Sequence, residues 1–246
     1  ALIRNSREGN YPNVIEHAKQ CIAAGADGIT VHPRPDQRHI RPGDVRELAA
    51  LVAPLKGVEF NVEGNPFAES LGDFPGFIEL VEETRPDQCT LVPDDPGQLT
   101  SDHGWDVAGN EELLKDRVKR LKDLGVRSSL FFDPVPERVA EVQSVGADRI
   151  ELYTEDYASH FGLESEHPIF AQYADTVAAA TSLGIGVNAG HDLDLDNLRR
   201  FLDIPDILEV SIGHALIVEC LLQGLEPVIG QYLAITAGER SESHYY

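Results

Sequence analysis

The chain is predicted to be an α/β protein folded as a parallel (β/α)8, TIM-type barrel. Two observations predict it. Short β-rich runs alternate with amphipathic helical stretches along the 246 residues, and such alternation builds a parallel sheet with right-handed crossovers. Four of the runs also end in proton-transfer groups: Thr30-Val31-His32, Phe60-Asn61-Val62-Glu63, Val187-Asn188-Ala189-Gly190-His191 and Val210-Ser211-Ile212-Gly213-His214. A short apolar strand has no packing use for an imidazole or a carboxylate at its end. Strand C-termini are where a parallel barrel carries its catalytic groups.

The elements follow in order. A helix over 13–24, opened by Pro12-Asn13, runs to Gly25 and a strand over 28–32. Pro42-Gly43-Asp44 opens a helix over 42–52, before a strand over 59–63. A helix over 75–84 precedes the strand 88–92, and a helix over 111–124 precedes the strand 127–132. Pro136-Glu137 opens a helix over 136–145, then a strand over 149–153; a helix over 168–183 leads to the strand 185–189. Helix 195–202, strand 207–211, helix 215–223 and a further helix over about 225–237 complete the series. Pro presets the first helical turn. Gly25, Gly125, Gly146 and Gly184 stand where a left-handed C-cap turns a helix into a strand.

Seven strands plus one at the start close an eight-stranded barrel. Helix 13–24 has no strand before it, so the first strand is expected upstream of Ala1, and the chain begins without Met. No linker or composition break divides the sequence. One domain over 1–246 is expected, with the helix about 225–237 as an addition and a frayed tail over 239–246.

Acidic and basic residues sum to −22, and the acids are spread along the chain. That field makes nucleic acid and anionic membranes poor partners. An anionic small molecule would need a locally basic pocket. Cys21, Cys89 and Cys220 are isolated, so neither a disulfide framework nor a zinc knuckle is expected, and a reducing compartment fits. No apolar run reaches the roughly 20 residues of a membrane span, and no secretory signal is present; a cytoplasmic protein is expected.

The strand ends supply candidate chemistry. His32, Arg34, Arg38 and His39 place four potentially cationic groups within eight residues, which reads as an anion pocket with Arg as a fork for phosphate or carboxylate. A lone His32 would read as a hydrogen-bonded structural histidine. Burial at a strand end would raise Glu63 and make it a usable base; pairing with a neighbouring Arg is the alternative. Thr100 lies in the long connection after strand 88–92. Glu151, flanked by Ile150 and Leu152, points into the barrel or at the site, or forms a buried pair. Gly190 before His191 lets the backbone approach a ligand. Gly213 and His214 stand where a helix N-terminus offers unpaired N–H groups to a phosphate. Asp192, Asp194 and Asp196 lead into a helix and read as caps. With no HxH or HExxH spacing, no metal is expected.

These motifs resemble the pyridoxine 5′-phosphate synthase family, the ring-closing enzymes of deoxyxylulose-dependent vitamin B6 biosynthesis. The segments that carry the resemblance run in family order: Arg4-Asn5-Ser6-Arg7, Gly25-Ala26-Asp27-Gly28-Ile29-Thr30-Val31-His32, Arg38-His39-Ile40, Phe60-Asn61-Val62-Glu63, Leu91-Val92-Pro93, Val187-Asn188-Ala189-Gly190-His191 and Ile212-Gly213-His214-Ala215. The resemblance implies a (β/α)8 barrel and condensation of 1-deoxy-D-xylulose 5-phosphate with 3-amino-2-oxopropyl phosphate. The products are pyridoxine 5′-phosphate, phosphate and water. It implies no metal or organic cofactor, and an octamer built as a tetramer of dimers.

By motif position, His32 and Glu63 match the family's proton acceptors and His191 its proton donor. Arg34, His39 and Thr100 match contacts to the deoxyxylulose phosphate, and Arg7 a contact to the amino ketone phosphate. His191, Asp192, Gly213 and His214 fall where the amino ketone and the product phosphate are held. Three departures stand out. The family's first strand, with a substrate-binding Asn, is missing. Asp192 stands where many members have Gly, so the contact there is expected from the backbone. The loop with Asp94-Asp95-Pro96 is acidic where some members are basic. The rival readings are another barrel aldolase or epimerase acting on sugar phosphates, and a non-catalytic phosphometabolite-binding barrel. A Schiff-base aldolase would want a Lys at a strand end, and none is there. A binding protein would not need His32 with Glu63.

Overall fold

A computed structural model describes residue 1 and residues 3–238; the tail expected over 239–246 lies outside the described residues. A 3-10 turn at Arg4–Ser6 opens the chain. The helices are α1 (Val14–Ala23), α2 (Pro42–Val52), α3 (Phe77–Thr84), α4 (Glu111–Asp123), α5 (Val139–Val145), α6 (Glu155–His160), α7 (Glu166–Ser182), α8 (Leu198–Phe201), α9 (His214–Gln223) and α10 (Leu225–Thr236). The strands are β1 (Gly28–Val31), β2 (Glu59–Gly64), β3 (Gln88–Leu91), β4 (Arg127–Phe132), β5 (Arg149–Tyr153), β6 (Gly186–His191) and β7 (Ile207–Ile212).

All seven expected strands form, in the sheet order β1-β2-β3-β4-β5-β6-β7, and every pairing is parallel. The sheet is curled into a nearly closed TIM-type barrel. Gln88 Nε2 on β3 donates to Glu209 Oε1 on β7 at 3.2 Å. Four strand spacings in a flat sheet would separate them by roughly 19 Å, so only curvature brings them together. Among the described residues β1 and β7 are the edges of this sheet.

Local sequence explains most elements. Asn13 caps α1 by accepting from the backbone of Ile15 at 2.8 Å and Glu16 at 3.1 Å. Pro42 opens α2. Gly25, Gly125, Gly146 and Gly184 have φ of 107°, 76°, 80° and 74°, the left-handed helix ends expected of them. The core lies between the sheet and the helical ring, with Val45, Leu48, Val62, Leu80, Leu130 and Val187 fully buried. α10 packs on α1; a Cβ at Gly25 would lie 2.8 Å from Leu233 Cδ1.

The differences from expectation are small and physical. α6 was not foreseen. Its six residues are too few for a periodic signal, and burial of Tyr157 against Phe161, Phe170, Tyr173 and Phe201 holds it in place. The helix expected over 195–202 shortens to α8. Asp194 turns the preceding chain by accepting from the backbone of Asp196 at 3.0 Å and Asn197 at 2.8 Å; the N-cap of α8 is Asn197, with no side-chain cap bond, so the acids expected as caps do not cap this helix. A 3-10 turn at Pro136–Arg138 replaces the first turn of the helix that continues as α5. No helix among the described residues is long and apolar enough to cross a membrane.

Candidate active site

Because every pairing is parallel, the C-terminal ends of β1–β7 share one mouth. Pro33 and Ile40 form a parallel bridge that closes the connection after β1 into a compact loop carrying His32, Arg34, Arg38 and His39. Arg4 braces that loop: Nη2 donates to the His39 carbonyl at 2.7 Å, and both Nη atoms donate to the Asp44 carboxylate at 2.7 Å. Arg7 follows the same 3-10 turn and is exposed.

Three of the expected residues meet at the β1 and β2 ends. His32 Nδ1 lies 3.8 Å from Glu63 Oε2, and His32 Nε2 lies 3.4 Å from Asp94 Oδ2. Arg34 turns inward and donates to Asp94 Oδ2 at 2.8 Å; its Nε is buried with no hydrogen-bond partner among the described residues. Sequence reading missed Asp94 as the organiser of this cluster. Its one signal was a carboxylate in a Pro-bounded loop, sixty positions from Arg34. Burial, then Arg34, Arg38 and His39, hold His32 well below the ordinary histidine range. Two carboxylates nearby oppose this, but Glu63 is itself driven toward its neutral form, so His32 stays an uncharged imidazole able to accept a proton.

Glu151 is buried in the barrel and Glu63 is half-buried, its side chain 18% exposed. Burial, and next the Glu151 carboxylate, push Glu63 well above the ordinary range, with Arg34 opposing. Asn61 Nδ2 reaches Glu63 Oε1 at 3.4 Å. Thr90 Oγ1 lies 3.3 Å from Asn61 Oδ1 and 3.2 Å from Glu151 Oε2, linking the two acids through polar side chains of β2 and β3. Burial, then Glu209, push Glu151 up to about 7, with the Thr90 hydroxyl and His191 opposing.

This shift has a measurable consequence for stability. An unfolded Glu titrates near 4.3. Between that value and about 7 the folded chain holds the extra proton, so stability falls as pH rises through this window. Above the window the cost of the buried charge is fully present. Glu151→Gln should therefore raise stability by up to about 3 kcal/mol at pH 8 and change it little at pH 4.5. Thermal denaturation of both proteins across this range checks it, and an equal effect at both ends would refute the assignment.

His191 ends β6 at a φ of 100°, a backbone region that residues with a Cβ rarely occupy and that costs on the order of 1–3 kcal/mol. The positive φ falls on His191 and not on Gly190. Gly190 is required because a Cβ there would lie 2.5 Å from Glu151 Oε1. The His191 ring stands edge-on to Tyr153, centroids 5.0 Å apart. Its Nε2 lies 3.0 Å from Thr100 Oγ1 and its Nδ1 2.5 Å from Asp192 Oδ2. Thr100, His191 and Asp192 thus form a second cluster, on the opposite side of the barrel sequence from His32.

Gly213 and His214 stand at the start of α9, and both are exposed. A Cβ added to Gly213 would meet no protein atom within 4 Å. The first-turn N–H groups of α9 have no intrahelical acceptor and face the mouth end of β7.

This constellation has relatives. The family model described as pyridoxal phosphate biosynthesis protein PdxJ matches residues 1–238. The chain belongs to the PdxJ family. It is 54% identical over 239 residues to the pyridoxine 5′-phosphate synthase of Xanthomonas campestris pv. campestris, covering 97% of this chain and 93% of that protein. It is 48% identical over 243 residues to the pyridoxine 5′-phosphate synthase of Albidiferax ferrireducens, covering 98% and 95%. Among solved structures, phosphoribosyl anthranilate isomerase from Thermotoga maritima aligns with a TM-score of 0.57 at 12% identity, over 91% of this chain and 94% of that one. Thiamine phosphate pyrophosphorylase from Pyrococcus furiosus aligns with a TM-score of 0.55 at 13% identity, over 93% and 91%. At such identities the PdxJ chain shares with these two proteins the barrel alone.

Proposed function

We propose that this chain is a pyridoxine 5′-phosphate synthase acting as a single catalytic domain. It condenses 1-deoxy-D-xylulose 5-phosphate with 3-amino-2-oxopropyl phosphate and releases pyridoxine 5′-phosphate, phosphate and water. The observation that carries this reading is the His32 imidazole beside the half-buried Glu63 carboxyl, 3.8 Å away, at the mouth of a PdxJ-family barrel. Joining an amine to a ketone, losing water and closing a pyridine ring require repeated proton transfers. A neutral imidazole can take up a proton, and a carboxyl of raised proton affinity can take one up and give it back.

In this reading His32 and Glu63 accept protons and His191 donates one. Arg34, His39 and Thr100 hold the deoxyxylulose phosphate, and Arg7 the amino ketone phosphate. The backbone at Asp192, Gly213 and His214 holds the amino ketone and product phosphate, while the Glu151 carboxylate raises the proton affinity of Glu63. The enzyme works in the cytoplasm as a homo-octamer. Mixing the protein with both phosphorylated substrates and following pyridoxine 5′-phosphate absorbance tests the reaction; no product would reject it.

The phosphate site at α9 has its own test. Since a Cβ at Gly213 meets no protein atom, Gly213→Ala should leave the fold unchanged and crowd only a bound phosphate. It should weaken substrate binding by at least about 1 kcal/mol, the scale of a hydrogen bond to a charged group. His214→Ala should cost less, because the contact is to the backbone. Calorimetry with the phosphorylated substrates reads both. Parent-like affinity in Gly213→Ala would move the phosphate elsewhere.

A further inference from the structure

We propose that the side chain of Asp192 is a positioning residue for His191: it holds the ring so that Nδ1 keeps its proton and Nε2 faces the substrate. This goes beyond the backbone contact assigned to Asp192 above and rests on the proton-donor role of His191 proposed there. His191 Nδ1 lies 2.5 Å from Asp192 Oδ2. An ionised carboxylate only accepts hydrogen bonds, so the proton of that bond sits on Nδ1. In the neutral ring Nε2 is then bare, and it accepts the hydroxyl of Thr100 at 3.0 Å.

Other contacts fix the pair. The Tyr153 ring stands at 84° to the imidazole, with centroids 5.0 Å apart. Asn197 Nδ2 donates to the Asp192 carbonyl at 3.1 Å, anchoring the residue whose carboxylate turns back to the ring. Among the described residues His191 is the one ionic partner of Asp192. The φ of 100° at His191 swings its side chain out of the β6 alternation and onto this carboxylate.

The chemistry follows from the tautomer. To act as donor the ring first takes a proton on Nε2, from water or an earlier step of the reaction; when this imidazolium gives that proton to the substrate it ends neutral, with its remaining proton on Nδ1. Against Asp192 that product state needs neither ring rotation nor proton relocation. Thr100 lies on the exposed connection after β3 and approaches Nε2 from the open side, which is the side from which a substrate oxygen would take the proton. An orienting carboxylate behind a catalytic imidazole acts by this means, and its loss can lower turnover by up to about 10,000-fold.

The test uses the full chain labelled with 15N-histidine, with the His191 signals assigned by their loss in His191→Asn. In the resting wild-type protein the 15N shifts should report Nδ1–H and an unprotonated Nε2. In Asp192→Asn the amide can donate to Nδ1, so the proton should move at least partly to Nε2. The turnover number should fall at least about 10-fold and up to about 10,000-fold, with little change in KM. Asp192→Ala should scramble the tautomer and lose turnover similarly. An Nε2–H tautomer in the wild-type protein would overturn the proposal, as would unchanged tautomer and turnover in both variants. If the wild-type protein makes no pyridoxine 5′-phosphate, the reaction proposed above fails, while the tautomer in the resting protein still decides the His191–Asp192 pair.

Discussion

Glu63→Gln should lower turnover by about 100- to 10,000-fold and leave the fold intact. The lower bound is the contribution of one well-placed general base, and the upper bound is where such contributions end. Gln keeps the volume of Glu63 and can still accept from Asn61, which lies 3.4 Å from the carboxylate. What it removes is the proton acceptor beside His32. The native carboxyl is pushed well up by burial first and by Glu151 second, so replacing it with an uncharged amide should not lower the melting temperature at pH 7. Steady-state turnover measured beside thermal denaturation separates chemistry from folding. Near-wild-type turnover would remove Glu63 from the reaction.

Arg4→Ala should destabilise the protein by about 3–5 kcal/mol, the usual consequence of leaving one partner of a buried ion pair behind. Arg4 is 0% exposed and donates through both Nη atoms to Asp44. Burial alone would raise Asp44, but Arg4 and the backbone N–H of Arg41 outweigh it and hold the carboxyl below its ordinary range. A depressed carboxylate stabilises the fold above its unfolded pKa near 4 and loses that contribution as pH falls through its folded value. The penalty of Arg4→Ala should therefore shrink in acid, where Asp44 is neutral with or without its partner. Arg4 also ties Asn10 and the His39 carbonyl to the α2 start, so the variant should bind phosphorylated substrate more weakly. Denaturant midpoints at pH 7 and pH 3.5 test the first claim. A loss under 1 kcal/mol at pH 7 would show that the pair contributes little.

How much of this was legible from the sequence depended on range. β-rich runs, the Asn13 cap and glycines at helix ends act within a few residues of chain, and the strands and helices they specify form where expected. Strands of four to six residues leave little freedom in where they stop, so His32, Glu63 and His191 could be placed at one mouth from their position in each run. α6 escaped because its one deeply buried side chain, Tyr157, is held by aromatic residues more than a dozen positions away.

The state of the site was not legible, because it depends on which groups barrel closure buries together. Asp94 reads as a loop acid, and only the fold sets it against Arg34 and His32. Gly190 reads as a place where the backbone approaches a ligand, and only the fold shows the Glu151 carboxylate in the space of its Cβ, while His191 carries the positive φ. Glu63 and Glu151 lie on strands far apart in sequence, and their mutual repulsion exists only inside the curled sheet. The order of residues thus decides which chemical groups reach the mouth. Proton affinities there follow from desolvation and from charges brought together across the barrel, and these have no counterpart along the unfolded chain.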